Sequence, residues 1–455
     1  MGKYFGTDGF RGEAGITLTA DHAYKVGRFL GWYYNALRER NGDTNPARIV
    51  IGKDTRQSGD MLEAALTAGL CSVGADVESL GVVPTPAVAY LVRKYNADAG
   101  VVISASHNPM EFNGIKIFAG TGYKLPDEVE NEIEAYIDNQ CAGLKLATGD
   151  DVGRVTYRAD GIKDYADHLY ESINGDLSGL NVCIDCANGA SAAVARQLFP
   201  RLGAKCTFIG VEPDGKNINA GVGSTHLDNL EKAVVEGGFD CGIAFDGDAD
   251  RCLMVDEAGE EIDGDQVIAA CGLALKEAGE LVGGAIVGTV MSNLGLHRFC
   301  KEHGIGLFCT SVGDRNVLEK MEECGYVIGG EQSGHTIFRR YATTGDGQLT
   351  ALQFLDLLCR SGKKASELVG ECKRYPQVLI NVPVADKAKK EAVLSAPALQ
   401  SAVAEQEEKL AGNGRVLVRP SGTEALIRVM VEAQTEPVAR ETAELLANVI
   451  KNHGS

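Results

Sequence analysis

The chain has 455 residues, of which 44% are hydrophobic and 24% charged, and a formal net charge of −19 at pH 7. This length exceeds what one hydrophobic core supports and predicts three or four domains, while the composition is that of a globular protein. The negative charge disfavours nucleic acid as a partner, because proteins that bind it neutralise its phosphates with Lys and Arg. An anionic substrate would need a local cluster of basic side chains.

Hydropathy and cysteine spacing limit the cellular setting. No apolar stretch reaches the length of a membrane-spanning helix, and the first residues lack the hydrophobic segment of a secretion signal. The 13 cysteines form no pair of Cys-x-x-Cys motifs, which disfavours a structural zinc site. We therefore expect a cytoplasmic protein with reduced thiols and no membrane partner.

Short runs rich in Val, Ile and Ala alternate along the chain with segments of helical periodicity. Such runs, bounded by Gly or Asp, are typical of buried parallel strands between helices. The predicted strands are Arg48–Ile51, Gly100–Ser104, Val182–Cys186, Cys241–Phe245 and Ala285–Val290. Helices are predicted at Asp54–Ala68, with Ser58 as a plausible N-cap, and at Pro126–Asn139.

The pattern changes after Gly362, where a smaller α+β domain is predicted. Its predicted strands are Val378–Val384 and Arg415–Val418, and its predicted helices are Lys387–Leu410 and Glu436–Lys451. The sequence therefore predicts three α/β domains, at residues 1–154, 155–255 and 256–368, and an α+β domain at 369–455.

An acidic segment follows one of the predicted strands. Asp246, Asp248 and Asp250 alternate on the loop after Cys241–Phe245, so extended backbone would point all three carboxylates the same way. Clustered carboxylates repel one another unless a cation lies between them, and oxygen ligands favour Mg²⁺ before Ca²⁺. An EF-hand is excluded because Arg251 stands at the sixth position of the loop, where glycine is required.

A serine-rich segment, Val101–Pro109, delivers Ser106 to the end of another predicted strand. The hydroxyl is a candidate nucleophile, although on this segment alone a turn-capping role is the commoner one. The chain contains neither the G-x-S-x-G motif of α/β-hydrolases nor a Walker A motif, which disfavours those two classes.

Two further segments carry residues suited to a sugar and to an anion. In Gly329–His335, Glu331 and Ser333 can hydrogen-bond sugar hydroxyls, and His335 is either a general acid or base or a structural histidine. In Arg419–Glu424, a strand is followed by Ser, Gly and Thr, whose backbone N–H groups and hydroxyls suit an anion. Neither segment decides the function by itself, because glycine-rich turns and Ser/Gly/Thr turns also occur as plain turns.

Together, the four segments resemble the α-D-phosphohexomutase superfamily, and the resemblance covers essentially the whole chain. The resemblance is greatest to its amino-sugar branch because of four features: Tyr4–Gly12, Gly223–His226, Val312–Arg315 and Gln332. It implies three related α/β domains with mixed sheets and a smaller C-terminal α+β domain around a central cleft.

The resemblance also implies roles for individual residues. Ser106 would carry a phosphoryl group and join Asp246, Asp248 and Asp250 in binding one Mg²⁺ ion. Lys116 and His335 are both candidate proton acceptors, and the sequence does not decide between them. The other implied residues are Arg11 and Arg251 around the transferred group, Glu331, Ser333 and His335 at the sugar, and Arg419, Ser421, Gly422, Thr423 and Arg428 at the second phosphate.

The implied activity is the interconversion of glucosamine 6-phosphate and glucosamine 1-phosphate through a 1,6-bisphosphate, which would supply synthesis of UDP-N-acetylglucosamine. The partner is then a small sugar phosphate, and the sequence leaves open whether a second copy of the chain is another. A phosphomannomutase or phosphoglucomutase is the alternative within the superfamily. A metal-dependent phosphatase and a sugar-phosphate sensor without turnover are the alternatives from other classes.

Overall fold

The structure is a computed structural model that describes residues 2–6, 8–139, 143–421 and 425–454, without the side chains of residues 387, 388, 453 and 454. The chain divides into two units, Met1–Met291 with Ile305–Gly370, and Ser292–Gly304 with Glu371–Ser455. Among the described residues, no helix is both long and apolar enough to cross a membrane. Every cysteine in this part of the chain is a free thiol.

A mixed sheet forms the centre of the N-terminal domain. Its strand order is β1-β2-β6-β5-β3-β4-β7, and the strand at residues 99–103 is buried throughout because its side chains are Ala, Val and Ile. The elements are β1 (Phe5–Gly6), β2 (Gly9–Glu13), α1 (Ala20–Arg40), β3 (Arg48–Lys53), α2 (Gln57–Cys71), β4 (Asp76–Val82), α3 (Thr85–Lys94), β5 (Ala99–Ile103), β6 (Phe112–Ala119), α4 (Asp127–Asp138) and β7 (Val155–Tyr157).

The second domain repeats this layered arrangement with a sheet of order β12-β11-β10-β8-β9. Its central strand, residues 241–245, pairs in parallel on one side and antiparallel on the other. The elements are α5 (Gly161–Tyr170), β8 (Asn181–Asp185), α6 (Ala192–Arg201), β9 (Lys205–Ile209), α7 (Asp228–Gly237), β10 (Cys241–Phe245), β11 (Cys252–Asp256) and β12 (Glu261–Ile262).

The third sheet has the order β14-β13-β15-β16. The helix that precedes it begins with a reciprocal cap, in which Asp263 accepts from the backbone of Gln266 and the Gln266 side chain accepts in return. The elements in this stretch of the chain are α8 (Gly264–Glu277), β13 (Ala285–Thr289), α9 (Leu294–Glu302), β14 (Gly306–Thr310), α10 (Asp314–Cys324), β15 (Ile328–Gly330), β16 (Thr336–Phe338), α11 (Gly347–Ser361) and α12 (Ala365–Val369).

The second unit is an antiparallel sheet of order β17-β19-β18 with its helices. Helix α9 belongs to this unit, because the buried Glu432 accepts from the backbone N–H of Leu294 at 2.8 Å and Asn293 donates to the carbonyl of Tyr375 at 3.0 Å. The remaining elements are β17 (Gln377–Pro383), α13 (Lys387–Leu394), α14 (Pro397–Leu410), β18 (Gly414–Pro420), β19 (Leu426–Ala433) and α15 (Glu436–Gly454).

The predicted fold class, three α/β domains with mixed sheets and a smaller C-terminal α+β domain, is confirmed. Two local predictions were wrong. Helix α2 begins at Gln57 without a side-chain cap, and Ser58 lies inside it. The helix predicted at 387–410 is two helices, because the ring of Pro397 cannot continue a helix and starts the second one instead.

Candidate active site

The loop between β5 and β6 holds Ser106 in a left-handed backbone conformation, with φ of 54°. A residue other than glycine adopts this conformation at a cost of about 1–3 kcal/mol, so the surrounding contacts must enforce it. The hydroxyl of Ser106 donates a hydrogen bond to Oδ2 of Asp246, on the loop after β10. The predicted nucleophile and the predicted metal loop therefore meet, although they are 140 residues apart.

The three carboxylates of that loop form a compact buried cluster. One oxygen from each of Asp246, Asp248 and Asp250 lies within 4.8 Å of the others. Oδ1 of Asp248 and Oδ1 of Asp250 are buried and have no hydrogen-bond partner within the described chain. Burial and the two neighbouring carboxylates raise the pKa of Asp246 well above its usual value. Carboxylate oxygens that lack hydrogen-bond partners fit Mg²⁺, whose positive charge would relieve the repulsion among the three carboxylates.

A glycine between these carboxylates is required by a close backbone approach. A Cβ atom at Gly247 would lie 2.7 Å from the carbonyl oxygen of Ser106 and 2.9 Å from the side-chain nitrogen of Asn219. Both distances are shorter than van der Waals contact, so a side chain there would push the two loops apart. The glycine between Asp246 and Asp248 therefore allows the loop that carries Ser106 to lie directly on the loop that carries the three aspartates.

Lys116, on β6, neutralises part of the cluster. Its buried ammonium group lies 2.9 Å from Asp248, 3.1 Å from Asp250 and 3.0 Å from Asp8. Burial alone would lower the pKa of Lys116, but the three carboxylates outweigh it and raise the pKa well above its usual value. Lys116 therefore keeps its positive charge beside Asp248 and Asp250.

A cavity of about 370 Å³ opens beside these residues and is lined by several predicted site residues. The buried Nε atoms of Arg11 and Arg251 have no hydrogen-bond partner in the described residues, so both guanidinium groups have donors left for a ligand. Such donors suit the oxygens of a phosphate. The predicted residues among the lining are Arg11, Asp250, Arg251, Glu331 and His335.

His335 is held in one orientation by its neighbours. The backbone N–H of Gly345 donates to Nε2 at 3.0 Å, so in this conformation the ring proton is on Nδ1, which faces Asp250 at 3.7 Å. Burial would lower the pKa of His335, but Asp250 and Asp314 raise it to about 9. A second proton on Nε2 requires the Gly345 hydrogen bond to break, because that nitrogen has one lone pair.

The predicted sugar-binding loop connects β15 and β16. Oε1 of Glu331 accepts from the backbone N–H of Gly313 at 2.9 Å, which fixes the carboxylate at the cavity wall. The hydroxyl of Ser333 is buried without a partner among the described residues. Gln332 points away and donates to Asp263 at 3.0 Å, at the start of α8. Glu331 and Ser333 thus retain hydrogen-bonding capacity, whereas Gln332 holds the loop.

The predicted phosphate residues lie in the second unit. Arg419 and Arg428 are directly opposite each other in the β18–β19 ladder. Burial and the charge of Arg428 lower the pKa of Arg419. Like charges in such a pair destabilise a sheet unless an anion lies between them. Ser421 is buried, and its carbonyl accepts from Lys390 at 2.7 Å, whereas Gly422 and Thr423 lie outside the described residues.

Several residues of this site were not predicted. Lys124 donates to Asp8 at 2.8 Å and to Asp314 at 2.6 Å, joining the N-terminal and third domains. The opening segment and Val312–Arg315 contained Asp8 and Asp314, but nothing local indicated their shared partner. The ring of His107 lies 3.3 Å from the Ser106 hydroxyl, and burial together with Arg251 lowers its pKa to about 4. His107 therefore stays neutral beside the nucleophile.

Profiles of four protein domains match the chain along most of its length. All four belong to phosphoglucomutase/phosphomannomutase: alpha/beta/alpha domain I at residues 2–142, domain II at 163–259, domain III at 263–375 and the C-terminal domain at 379–449. The chain belongs to the phosphoglucomutase/phosphomannomutase family. Membership in this family of phosphohexomutases makes it an isomerase that transfers a phosphoryl group within its substrate.

Relatives in this family match the chain from end to end. It is 49% identical over 454 residues to a phosphoglucosamine mutase of Lachnoclostridium phytofermentans, covering 100% of this chain and 99% of that protein. It is 52% identical over 451 residues to that of Acetivibrio thermocellus, covering 99% of each. The fold also matches Aspergillus fumigatus N-acetylphosphoglucosamine mutase, with a TM-score of 0.70, 19% identity, and coverage of 99% and 96%.

Proposed function

We propose that this chain interconverts glucosamine 6-phosphate and glucosamine 1-phosphate through a phosphoserine at Ser106 and a glucosamine 1,6-bisphosphate intermediate. The observation that carries the proposal is the hydrogen bond from Ser106 to Asp246, which joins a buried nucleophile to a cluster of carboxylates suited to a metal ion. The name phosphoglucosamine mutase, borne by relatives about half identical over their full length, supports the amino sugar as substrate.

Phosphoryl transfer requires positioning of the reactants and neutralisation of charge on the transferred group. Asp246, Asp248 and Asp250 would hold Mg²⁺, which when bound supplies positive charge at the phosphoryl oxygens. Lys116 adds a fixed positive charge at the same place. The A. fumigatus protein was crystallised with GlcNAc-6P and magnesium, which is consistent with this pairing of ligands.

In the first step, the bond between phosphorus and Oγ of Ser106 breaks and a bond to the sugar 1-hydroxyl forms, giving the bisphosphate. The proton of that hydroxyl must pass to a base. Lys116 and His335 are the two candidates: three carboxylates hold the proton of Lys116, and Nε2 of His335 becomes an acceptor only when the hydrogen bond from Gly345 breaks. The bisphosphate then turns end for end within the site. In the second step, the bond between phosphorus and the sugar 6-oxygen breaks and a bond to Oγ of Ser106 forms, while the base returns its proton to the 6-oxygen.

The remaining predicted residues would bind the substrate. Arg11 and Arg251 have free donors at the cavity for the transferred phosphoryl group, and Glu331 and Ser333 have hydrogen-bonding capacity for the sugar. The second phosphate would be held by Arg419, Ser421, Gly422, Thr423 and Arg428. The opposed pair of arginines supports this assignment, since an anion would stabilise it.

The product would feed the synthesis of UDP-N-acetylglucosamine in the cytoplasm. A homodimer is also part of the proposal. Strand β7 lies at the edge of the first sheet, and the side chains of Val155 and Tyr157 on it are exposed. Unpaired edge strands with apolar side chains are typical sites of pairing with a second chain. Light scattering of the purified protein measures the mass directly, and a monomer at micromolar concentration would contradict the dimer.

A coupled assay comparing the 6-phosphates of glucosamine, glucose and mannose tests the activity. We expect turnover with glucosamine 6-phosphate to have the highest kcat/KM, to require the bisphosphate as activator, and to be lost in Ser106→Ala and on chelation with EDTA. A preference for mannose 6-phosphate would favour the phosphomannomutase alternative. Retained activity of Ser106→Ala would favour the phosphatase, and binding without turnover would favour the sensor.

A further inference from the structure

Arg56, an arginine outside the cavity, is hydrogen-bonded to the loop between β5 and β6, residues 104–111, which carries Ser106. The side chain of Arg56 is fully buried just before α2. Its guanidinium group donates to the carbonyl oxygens of three residues of this loop and to that of Phe112, the first residue of β6. The bonds are to Ser106 at 2.9 Å, Asn108 at 2.7 Å, Pro109 at 2.5 Å and Phe112 at 3.0 Å.

The same arginine is linked to the other side of the Ser106 backbone through Asp54. Nε of Arg56 donates to Oδ2 of Asp54 at 2.8 Å, and that oxygen also accepts from the hydroxyl of Ser104 at 2.6 Å. The Ser104 hydroxyl oxygen in turn accepts from the backbone N–H of Ser106 at 2.9 Å. The peptide groups before and after the Ser106 Cα are therefore both held by the Asp54–Arg56 ion pair.

Asn219, a residue of the second domain, also donates to two of the carbonyl oxygens that Arg56 binds. The side-chain nitrogen of Asn219 donates to the oxygens of Ser106 at 2.9 Å and of Asn108 at 3.2 Å. Its backbone N–H donates to Ala187 at 2.9 Å, which anchors the asparagine to its own domain. Two independent donors thus converge on the carbonyl of Ser106, one from each side of the domain boundary.

These contacts account for the left-handed φ of Ser106, which the chain would not adopt unaided. Fixing both flanking peptide groups fixes φ and ψ, and these angles set the direction of the side chain toward Asp246. If Arg56 served only to satisfy the carbonyl oxygens of the loop, the hydrogen bonds through Asp54 and Ser104 to the backbone N–H of Ser106 would not be needed. In-line transfer tolerates little displacement, since a shift of about 1 Å can cost about 10²-fold in rate.

We propose that Arg56 and Asn219 are positioning residues that hold the Ser106 backbone in the conformation needed for phosphoryl transfer. The inference rests on the proposed function, because the benefit of a fixed Oγ is realised when Ser106 carries the phosphoryl group. Looser variants would present the phosphoserine to the sugar less often and leave it exposed to water for longer, so transfer would slow while hydrolysis to serine and inorganic phosphate would rise.

The test uses the full-length, Mg²⁺-loaded protein and the variants Arg56→Lys and Asn219→Ala. Lysine keeps the charge but supplies three donors from one atom, so it cannot reach four carbonyls and Asp54 together. We expect kcat to fall about 10–100-fold, KM to stay within about twofold, and phosphoserine measured by intact mass and ³¹P NMR to be lost faster in the absence of sugar. Arg48→Met is the matched control, because Arg48 pairs with Glu78 at the other end of β3.

The outcomes separate the two proposals. If kcat per folded molecule and the hydrolysis rate of both variants equal those of wild type, with folding checked by circular dichroism, the positioning role is overturned. If Arg56→Lys does not fold, Asn219→Ala decides by the same criteria, since it removes one amide and leaves the ion pair intact. Absence of phosphoserine and of mutase turnover in wild type would instead overturn the proposed function.

Discussion

The ammonium group of Lys116 lies 2.9 Å from Oδ2 of Asp248 and leaves Oδ1 of that carboxylate without a partner in the described residues. Asp250 shows the same division, with Oδ2 at 3.1 Å from Lys116 and Oδ1 without a hydrogen-bond partner in the described residues, 3.7 Å from Nδ1 of His335. The lysine and a metal ion would therefore share two carboxylates by binding different oxygens. They would also repel each other, since both are cations in a buried site.

Lys116→Met is expected to change turnover and metal binding in opposite directions. Loss of the ammonium group removes charge stabilisation at the transferred phosphoryl group, so kcat should fall by about 10²–10³-fold. The same loss removes repulsion of the ion, so the thermal stabilisation produced by a given Mg²⁺ concentration should increase. Enzyme assays and Mg²⁺ titrations of the unfolding midpoint measure the two effects.

Lys163→Met is the control for that experiment, because Lys163 is an exposed lysine paired with Asp167. It should change neither turnover nor the Mg²⁺ titration. A Lys116→Met protein with near-wild-type kcat, or one that responds less to Mg²⁺, would contradict the role given to this lysine.

The strands and their loops were predictable because each is encoded by a short local pattern. The run before Asp246 is continuously apolar, and the structure places it as the buried strand β10. The residues that join the domains were not predictable in this way. Lys124 reaches Asp8 and Asp314, which are 116 and 190 residues away, and such pairs are set by how the sheets are arranged.

The C-terminal unit shows a second limit. Strand β19 was not predicted, because Leu426–Ala433 carries two charged residues, Arg428 and Glu432, among its apolar ones. Glu432 is fully buried, and its partners include Arg415 and the backbone at the start of α9. From the sequence alone, a charged residue within a strand predicts an exposed position, because the distant partners that would allow its burial are not known.

Gly345→Ala tests the orientation of His335 without changing the histidine itself. A Cβ atom at position 345 would lie 2.4 Å from Nε2, so the ring must move away from its place between Asp250 and Asp314. We expect kcat to fall at least about 10-fold, approaching the loss in His335→Gln, if the ring acts as the proton acceptor.

The control is Gly59→Ala, in helix α2, where the new Cβ would meet only ordinary contacts from 3.4 Å outward. This variant should keep its activity and unfold no earlier than wild type, since alanine favours helix. Wild-type turnover in Gly345→Ala would show that the histidine position is unimportant for the transfer.

The pH dependence of stability should contain a contribution from Asp346, the N-cap of α11. Burial raises its pKa to about 6 in the folded protein, although hydrogen bonds from Leu349 and Tyr165 favour the ionised form. Because the folded pKa exceeds the unfolded one, the carboxylate destabilises the fold above about pH 6, and this cost fades as pH falls toward about 4. A shift of this size corresponds to about 2–3 kcal/mol.

Asp346→Asn should remove that cost, because asparagine keeps the cap and can still pair with Leu349 and Tyr165. The variant should therefore unfold at a higher temperature than wild type at about pH 8, and the difference should shrink toward about pH 4. Thermal scans of both proteins across this range measure it. A difference that is constant with pH would show that the carboxyl group titrates normally.

Arg419→Ala should weaken substrate binding without destabilising the free protein. The guanidinium group faces Arg428 across the β18–β19 ladder, and its removal relieves repulsion between like charges, so the unfolding midpoint without ligand should stay equal or rise. With substrate, the second phosphate would lose a charged partner. We expect KM for both monophosphates to rise at least about 10-fold, since hydrogen bonds to charged groups contribute about 1.5–3 kcal/mol.

The control is Arg440→Ala, because Arg440 lies on the exposed face of α15 beside Glu436, and it should leave both KM values unchanged. An unchanged KM in Arg419→Ala would remove this arginine from the phosphate site.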